Sequence, residues 1–542
     1  MDWTKKPLPA MRLESRFGDR VVPAFSDRPK SVWQMVEQAA TRNPTGEALV
    51  SGERRLTWRE TKRAAARVAG GFEALGVEPG DRIALLVGNR IEFVLAVFAC
   101  AQLGAVAVPM STRLQKPEIA HVLNDCDARL LIHDETLADR IPEADAIPSV
   151  EGRIMVNGRG DAIPFETIQS ASSRRQPTPV DEQDIAMLLY TSGTTGKPKG
   201  AMLAHCNIVH SAMVFEITMG MTHADRSVAV VPLAHVTGVI ANIALMARVA
   251  GALIIAPEFK AADYLALVAR EKATQTVMVP AMYNLCLLQA DFSSHDLSSW
   301  RIGGYGGAPM PEATIARLAR ELPGLQLINA YGATETTSPS TLLPAPYAAT
   351  HSDSVGLACP GARILAMDDE GCECGAGEVG EIWIQSASVV KGYWNNRKAT
   401  AEAFVGGFWR SGDLGSVDAQ GFVRVFDRKK DMINRAGLKI YSAEVESALA
   451  GHPDVMESAV VAKPCPVLGE RVHAFVTPRR AGVDVEALRA WCAERLSDYK
   501  VPETITLLPE PLPRNANGKV LKRSLREQLA AAPEPGAQPP SS

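Results

Sequence analysis

Two short apolar runs, Arg82 to Val87 and Ala105 to Val108, flank a segment from Ile91 to Leu103 that is helical in length and composition. Runs this short, apolar on both faces, read as strands covered on both sides, and a helix between them makes a β-α-β unit. The pattern recurs. Pro117 to Cys126 reads as helix and Arg129 to His133 as strand. Farther on, Ser227 to Val231, Leu253 to Ile255 and Thr276 to Val279 read as strands, with a helix from Ala261 to Lys272. A chain of 542 residues, 46% apolar, can bury a large core and divide into several domains. The expected class is α/β, a large N-terminal domain of several subdomains with parallel-rich, doubly covered sheets.

From about residue 350 the texture changes. Glu381 to Gln385 and Phe422 to Val425 are short strands among many glycines, which suggests a small β subdomain. The charge run Asp427-Arg428-Lys429-Lys430-Asp431 then marks a boundary. Beyond it the chain reads as a compact α+β unit. Ser442 can cap a helix through Ala450, Val455 to Ala462 and Val472 to Val476 are strands, and Asp484 can cap a helix from Val485 to Leu496. The expected division is 1–426, a joint at 427–430, a second domain at 431–528, and a Pro/Ala-rich tail at 529–542 that should be disordered.

Charge and cysteine usage exclude several classes. A net charge of −4 gives no footprint for nucleic acid. Nine scattered cysteines with no C-x-x-C pair fit free thiols in a cytoplasmic protein, and Cys372-Glu373-Cys374 reads as a turn. The N-terminus lacks a signal-peptide core. Phe93 to Pro109 and Val239 to Ala256 are both interrupted by polar residues or glycine, so no integral membrane span is expected.

The segment Tyr190-Thr191-Ser192-Gly193-Thr194-Thr195-Gly196-Lys197-Pro198-Lys199-Gly200 holds four Ser/Thr hydroxyls, three glycines and two lysines, just after an apolar run. Glycines let backbone N–H groups turn inward, hydroxyls donate further bonds, and lysines supply charge, which together suit phosphates. It is not a Walker A loop: only two residues separate Gly193 from Gly196, and Pro198 stands where a metal-binding hydroxyl would follow the lysine. In Tyr331-Gly332-Ala333-Thr334-Glu335, a hydroxyl and a carboxylate offer hard oxygen ligands for Mg²⁺ on a triphosphate, and Tyr331 offers a ring for base stacking. Asp413, in Trp409-Arg410-Ser411-Gly412-Asp413, can accept both hydroxyls of a ribose. Lys519 sits at a glycine turn in Pro513 to Lys519.

These motifs, in this order, resemble the AMP-forming adenylate-forming superfamily of acyl-CoA synthetases, adenylation domains and luciferase. The resemblance runs over about residues 30 to 525 and rests on YTSGTTGKPKG at 190–200, YGATE at 331–335, WRSGD at 409–413, DRKKDMINRAGLKIYSAEVE at 427–446 and PRNANGKVLKR at 513–523. It implies a mobile C-terminal domain and two half-reactions. A carboxylate first attacks the α-phosphate of Mg·ATP to give acyl-adenylate and pyrophosphate. A thiol, usually that of coenzyme A, then displaces AMP.

The resemblance implies roles residue by residue. Thr191, Ser192, Gly193, Thr194, Thr195 and Gly196 would wrap the β- and γ-phosphates, with Lys199 nearby. Thr334 would contact the α-phosphate and Glu335 would hold Mg²⁺. Gly307, Ala308, Pro309 and Tyr331, with Gly332 beside it, would bracket adenine. Asp413 and Arg428 would hold the ribose, and Lys519 would bridge carboxylate and α-phosphate. Lys430 matches the hinge, Gly437 the pantetheine tunnel, and Asn434 and Lys439 positions that contact nucleotide or CoA.

His235 matches a ring that gates the acyl pocket. Val236, Gly238, Tyr283, Gly304, Gly306 and Ala330 would line that pocket. No acid stands near His235 to pair with a substrate ammonium, and no Arg or Lys lies in these segments, so an apolar monocarboxylic acid, fatty or aromatic, is expected. The rival reading is a stand-alone adenylating enzyme that loads a carrier protein. The expected partners are the acid, ATP and CoA, with a homodimer left open.

Overall fold

The computed structural model describes residues 2–158, 160, 162–174, 176–191, 197–515 and 519–531. The chain folds into two compact units. The larger takes Met1–Leu365, Trp383–Ser411 and Val417–Val423; the smaller takes Ala366–Ile382, Gly412–Ser416 and the chain from Arg424 onward.

In the larger unit one sheet has seven strands, in the order Lys199–Ala204, Ile185–Thr191, Val106–Pro109, Arg82–Leu86, Ala128–Asp134, Gly152–Val156 and Ile163–Pro164. The first two pair antiparallel and the rest are parallel. A second sheet carries a parallel run, Gln326–Tyr331, Ile302–Gly306, Gln275–Met278, Arg226–Ala229, Ala252–Ile255 and Glu47–Ser51. The helix Ile91–Leu103 is buried at every position, which is why its sequence has no polar face. It ends at Gly104, whose φ of 75° supplies the left-handed turn before the next strand. The helix Trp58–Ala74 begins with a reciprocal cap: Thr57 Oγ1 accepts from the Glu60 N–H, and Glu60 Oε2 accepts from the Thr57 N–H. The mixed α/β class and its parallel-rich sheets are as expected.

The smaller unit contains a five-stranded sheet in which Gly469–Pro478 lies between Ile433–Arg435 and Val455–Cys465 and also pairs in parallel with Thr504–Leu507. Helices Ser442–Ala450 and Val485–Ala493 share its core with Ile433, Ile440, Val460, Val472 and Leu488. Asp484 caps the second helix as expected, accepting from the Glu486 N–H at 3.0 Å. Two local expectations are corrected. Ser442 is the first residue of its helix, not the cap; its hydroxyl is drawn away by Asp427. The final helix, Lys522–Ala531, also runs past the expected start of the tail at 529. Residues 532–542 lie outside the described residues. No helix among those described is long and apolar enough to cross a membrane.

Candidate active site

In the larger unit the candidate residues gather at the ends of the parallel strands. In the hairpin of Ile185–Thr191 and Lys199–Ala204, Tyr190 stands opposite Gly200 and Thr191 opposite Lys199. Ser192, Gly193, Thr194, Thr195 and Gly196 lie outside the described residues. The bracketing strand ends are firmly tied. Tyr190 Oη donates to Asp125 Oδ2 at 2.6 Å, and burial pushes its phenol well up. The Trp394 N–H donates to Gly200 O at 2.7 Å, and Met202 N–H to Gly392 O at 3.0 Å. The Lys199 ammonium lies 5.2 Å from the centroid of the Tyr393 ring.

Tyr331 ends the strand Gln326–Tyr331, beside the end of Ile302–Gly306. Ligands of open α/β sheets bind at such carboxyl ends. Gly307 follows with φ of 78° and open space where a Cβ would stand, and Ala308 and Pro309 continue the turn. A Cβ on Gly332 would come within 3.2 Å of Pro339 Cα, so the backbones there approach closely. Thr334 and Glu335 lie on a one-turn helix, Thr334–Thr336, whose start is held by Ala333 N–H donating to Thr336 Oγ1 at 3.0 Å. Glu335 is 9% exposed; Tyr393 Oη donates to its Oε1 at 2.8 Å, and Val390 N–H donates to its carbonyl at 2.9 Å. A nearly buried carboxylate beside the Thr334 hydroxyl suits a hard divalent cation that phosphate oxygens would complete.

His235 is half-buried at the start of a turn. Its N–H donates to Pro232 O and its carbonyl accepts from Val239 N–H at 2.9 Å. A π-helix, Thr237–Ala244, follows after Val236, and such widened turns are frequent at functional sites. Gly238 packs against Pro232 and Leu233 so closely that any side chain would collide with their backbone. The expected acyl wall divides between two faces. A Cβ on Gly304 would meet Val277 and, at 3.6 Å, Met219 Cε, in the same apolar cluster that Val236 and Ala330 pack against. Gly306 is held close to Ala330. Tyr283 belongs to the opposite face. It is fully buried, stacks on Trp300 at 6.1 Å and donates its hydroxyl to Gly304 O at 2.9 Å. It supports the strand from behind rather than lining the same wall as Gly304.

A second group lies in the smaller unit. Arg428 Nε pairs with Asp413 Oδ1 at 2.7 Å. Lys519 sits at a narrow hairpin where Asn515 Oδ1 accepts its N–H at 2.8 Å and Asn515 N–H donates to its carbonyl. Its ammonium is pushed down to about 8, first by burial and then by the Arg428 cation, with Asp413 opposing. Part of the Lys519 side chain remains open to solvent. Burial likewise lowers Lys430. Gly437, with φ of 89° and no atom near its absent Cβ, forms the tip of a turn in which Asn434 stands opposite Lys439.

A polar relay centred on the buried Ser442 lies beside this group in the chain. Asp427 Oδ2 accepts from the Ser442 N–H at 2.5 Å and from its hydroxyl at 2.6 Å. Lys522 Nζ donates to the same hydroxyl at 2.6 Å and pairs with Glu446 at 2.7 Å. Arg526 pairs with Asp431 at 2.5 Å. Sequence reasoning missed Tyr393 and Lys522 and read Ser442 only as a helix cap, although Gly392-Tyr393-Trp394 held a signal: a glycine beside two polar-tipped aromatics.

The family model for AMP-binding enzymes matches residues 36–394, and that for the AMP-binding enzyme C-terminal domain matches 444–519. The chain belongs to the AMP-binding enzyme family. Among relatives of this AMP-binding enzyme is the long-chain-fatty-acid–CoA ligase FadD13 of Mycobacterium tuberculosis, 34% identical over 93% of this chain and 99% of that protein. Another is a feruloyl-CoA synthase of Amycolatopsis, 35% identical over 90% and 97%. Of solved structures, the o-succinylbenzoate CoA synthetase of Bacillus subtilis with its acyl-adenylate intermediate superimposes with a TM-score of 0.83 at 30% identity, covering 93% of this chain and 98% of the other. The same enzyme with ATP and magnesium ion gives 0.81, at 30% identity over 92% and 99%. The resemblance read from the five motifs is borne out.

Proposed function

We propose that this AMP-binding enzyme is an ATP-dependent acyl-CoA ligase. The observation that carries the reading is the Arg428 Nε–Asp413 Oδ1 pair at 2.7 Å, in the same unit as Lys519 and near enough to act on its ammonium. Asp413 takes the ribose hydroxyls, Arg428 holds that carboxylate in place, and Lys519 meets the α-phosphate. The substrate carboxylate attacks the α-phosphorus; the new C(O)O–P bond is a mixed acyl–phosphate anhydride, and the bond from the α-phosphorus to the bridging oxygen breaks, its electron pair leaving on pyrophosphate. Charge builds on the phosphoryl oxygens as this happens, and fixed cations lower the barrier there. Lys199 and the segment 191–196 hold the departing pyrophosphate. Thr334 would contact the α-phosphate and Glu335 would hold Mg²⁺, which neutralises phosphate charge when bound. The CoA thiolate then attacks the acyl carbonyl and AMP leaves. The joint expected at 427–430, with Lys430 as pivot, lies within the smaller unit; a turn there withdraws Lys519 from Asp413 between the steps and brings Gly437 and Lys439 to the pantetheine arm.

The acid is apolar and monocarboxylic. Support comes from Val236, Ala330 and the Gly304 face, which carry no cation, and from relatives whose names include fatty-acid and feruloyl substrates. The nine free cysteines favour a cytoplasmic setting. The test is a carboxylic-acid panel read by pyrophosphate release with and without CoA. Apolar acids should release AMP only when CoA is added. Acyl-adenylate that persists with CoA and turns over only with a holo-carrier protein would replace this reading with the carrier-loading one.

A further inference from the structure

Glu335, given a cation to hold, sits on a helix of a single turn, which cannot by itself fix a long side chain. The support comes from farther along the chain, in the segment 389–394. That segment is anchored along its length. Arg20 Nη1 donates to Val389 O at 3.3 Å and Val390 O at 3.2 Å, and Asn207 Nδ2 donates to Val389 O at 3.2 Å. Tyr393 N–H donates to Thr400 Oγ1 at 3.0 Å, and the ring packs edge-on to Phe404 at 5.7 Å. Gly392 has φ of 153°, and a Cβ there would collide with Thr400, so the chain reaches Tyr393 by a path only glycine takes easily. Tyr393 is 8% exposed. Its backbone forms a bridge with Ala201 of the phosphate-side strand, its ring lies 5.2 Å from the Lys199 ammonium, and its hydroxyl reaches Glu335 Oε1 at 2.8 Å.

We propose that Tyr393 is a positioning residue that locks the Glu335 carboxylate for a divalent cation and ties that carboxylate to the Lys199 end of the phosphate strand. By occupying one carboxylate oxygen, the phenol fixes the plane of the group and turns the other oxygen to the metal. A carboxylate held by a rigid donor needs no reordering when the cation arrives. The ring adds a face on which the Lys199 ammonium rests, so metal and pyrophosphate contacts are set by one side chain. This inference rests on the reading of Glu335 as metal ligand.

The test is Tyr393→Phe, which removes the hydroxyl and keeps the ring and its packing against Phe404. Mn²⁺ is titrated by electron paramagnetic resonance into full-length enzyme holding a non-hydrolysable ATP analogue, beside Glu335→Gln and the unaltered protein. Nucleotide affinity without metal is measured in parallel. Tyr393→Phe should weaken Mn²⁺ binding about tenfold, as loss of one hydrogen bond to a charged group does, while metal-free nucleotide affinity changes less than about twofold. In pyrophosphate exchange the Mg²⁺ concentration for half-maximal rate should rise by a similar factor, with the rate at saturating Mg²⁺ nearly restored. Unchanged Mn²⁺ affinity in Tyr393→Phe, with weakened binding in Glu335→Gln, overturns the role of Tyr393 alone. Unchanged affinity in Glu335→Gln overturns the metal reading and this inference with it. Equal losses of metal and metal-free nucleotide binding in Tyr393→Phe would mark a merely structural residue and also refute the proposal.

Discussion

Raising the pH should switch off the first half-reaction by discharging Lys519. The ordinary lysine value of 10.5 is lowered to about 8 in the free protein, by burial and by the facing Arg428 cation. With a group at about 8, roughly nine in ten ammonium ions are charged at about pH 7 and roughly one in ten at about pH 9. The charged form is the one that stabilises the α-phosphoryl group. So kcat/KM for ATP in carboxylate-dependent pyrophosphate exchange should fall about tenfold per pH unit above about 8, since that parameter reports the free enzyme. Bound triphosphate favours the ammonium, which moves the corresponding limb of kcat to higher pH. The second half-reaction, started from supplied acyl-adenylate, should instead rise over this range as the CoA thiol ionises. Lys519→Arg keeps the charge and should flatten the limb even if it slows the reaction. An unaltered enzyme whose kcat/KM stays level to about pH 9.5 would refute the argument, and so would a limb that survives in Lys519→Arg.

Lys519→Ala should slow acyl-adenylate formation by about 10²–10³, with thioester formation from supplied acyl-adenylate largely intact; equal loss in both, measured by product chromatography, would contradict the role. Asp413→Asn should raise the KM for ATP about tenfold, by weakening both the ribose contact and the 2.7 Å pair with Arg428, as initial-rate kinetics would show. Gly306→Ala should lower stability by about 1–3 kcal/mol in urea unfolding, because the new methyl runs into the Ala330 carbonyl. Ser442→Ala should cost about 1–3 kcal/mol by the same measurement, since it leaves Lys522 and Asp427 without the hydroxyl between them, and it should harm adenylation more than thioester formation.

Elements whose burial matches their composition could be read from the sequence. Arg82–Leu86 and Ile91–Leu103 are apolar because both are enclosed, and their bounds fall within a residue of expectation. The antiparallel pair Met11–Arg16 and Arg20–Phe25 was not legible, since its burial does not follow residue type: Arg16 is buried against Glu14 and Glu182 and Arg20 against Asp19 and the Val389 and Val390 carbonyls, while Leu13 and Val21 are exposed. The π-helix after His235 was hidden too, because a π-turn differs from an α-turn in register and not in residue type. In the site, motif residues were visible as unusual clusters of glycine, hydroxyl and charge. Their supports were not. Tyr393 and Glu335 are far apart in sequence, and nothing around an aromatic shows that its hydroxyl has an ionic partner until the fold brings the two together. Ser442 looked like a helix cap because its local sequence permits one; the competing acceptor, Asp427, comes from an earlier strand.

The three-part make-up of the smaller unit bears on how such enzymes can be taken apart. Because Ala366–Ile382 and Gly412–Ser416 belong with the chain from Arg424 onward, a cut at 427 does not free a finished domain. It strands two pieces on the wrong side of the scissors. During synthesis those pieces leave the ribosome well before the sheet of Gly469–Pro478, so they wait for their unit while the larger one assembles. A graft meant to exchange this unit with that of a relative should carry all three stretches, because moving only the terminal one would splice a foreign surface onto native edges.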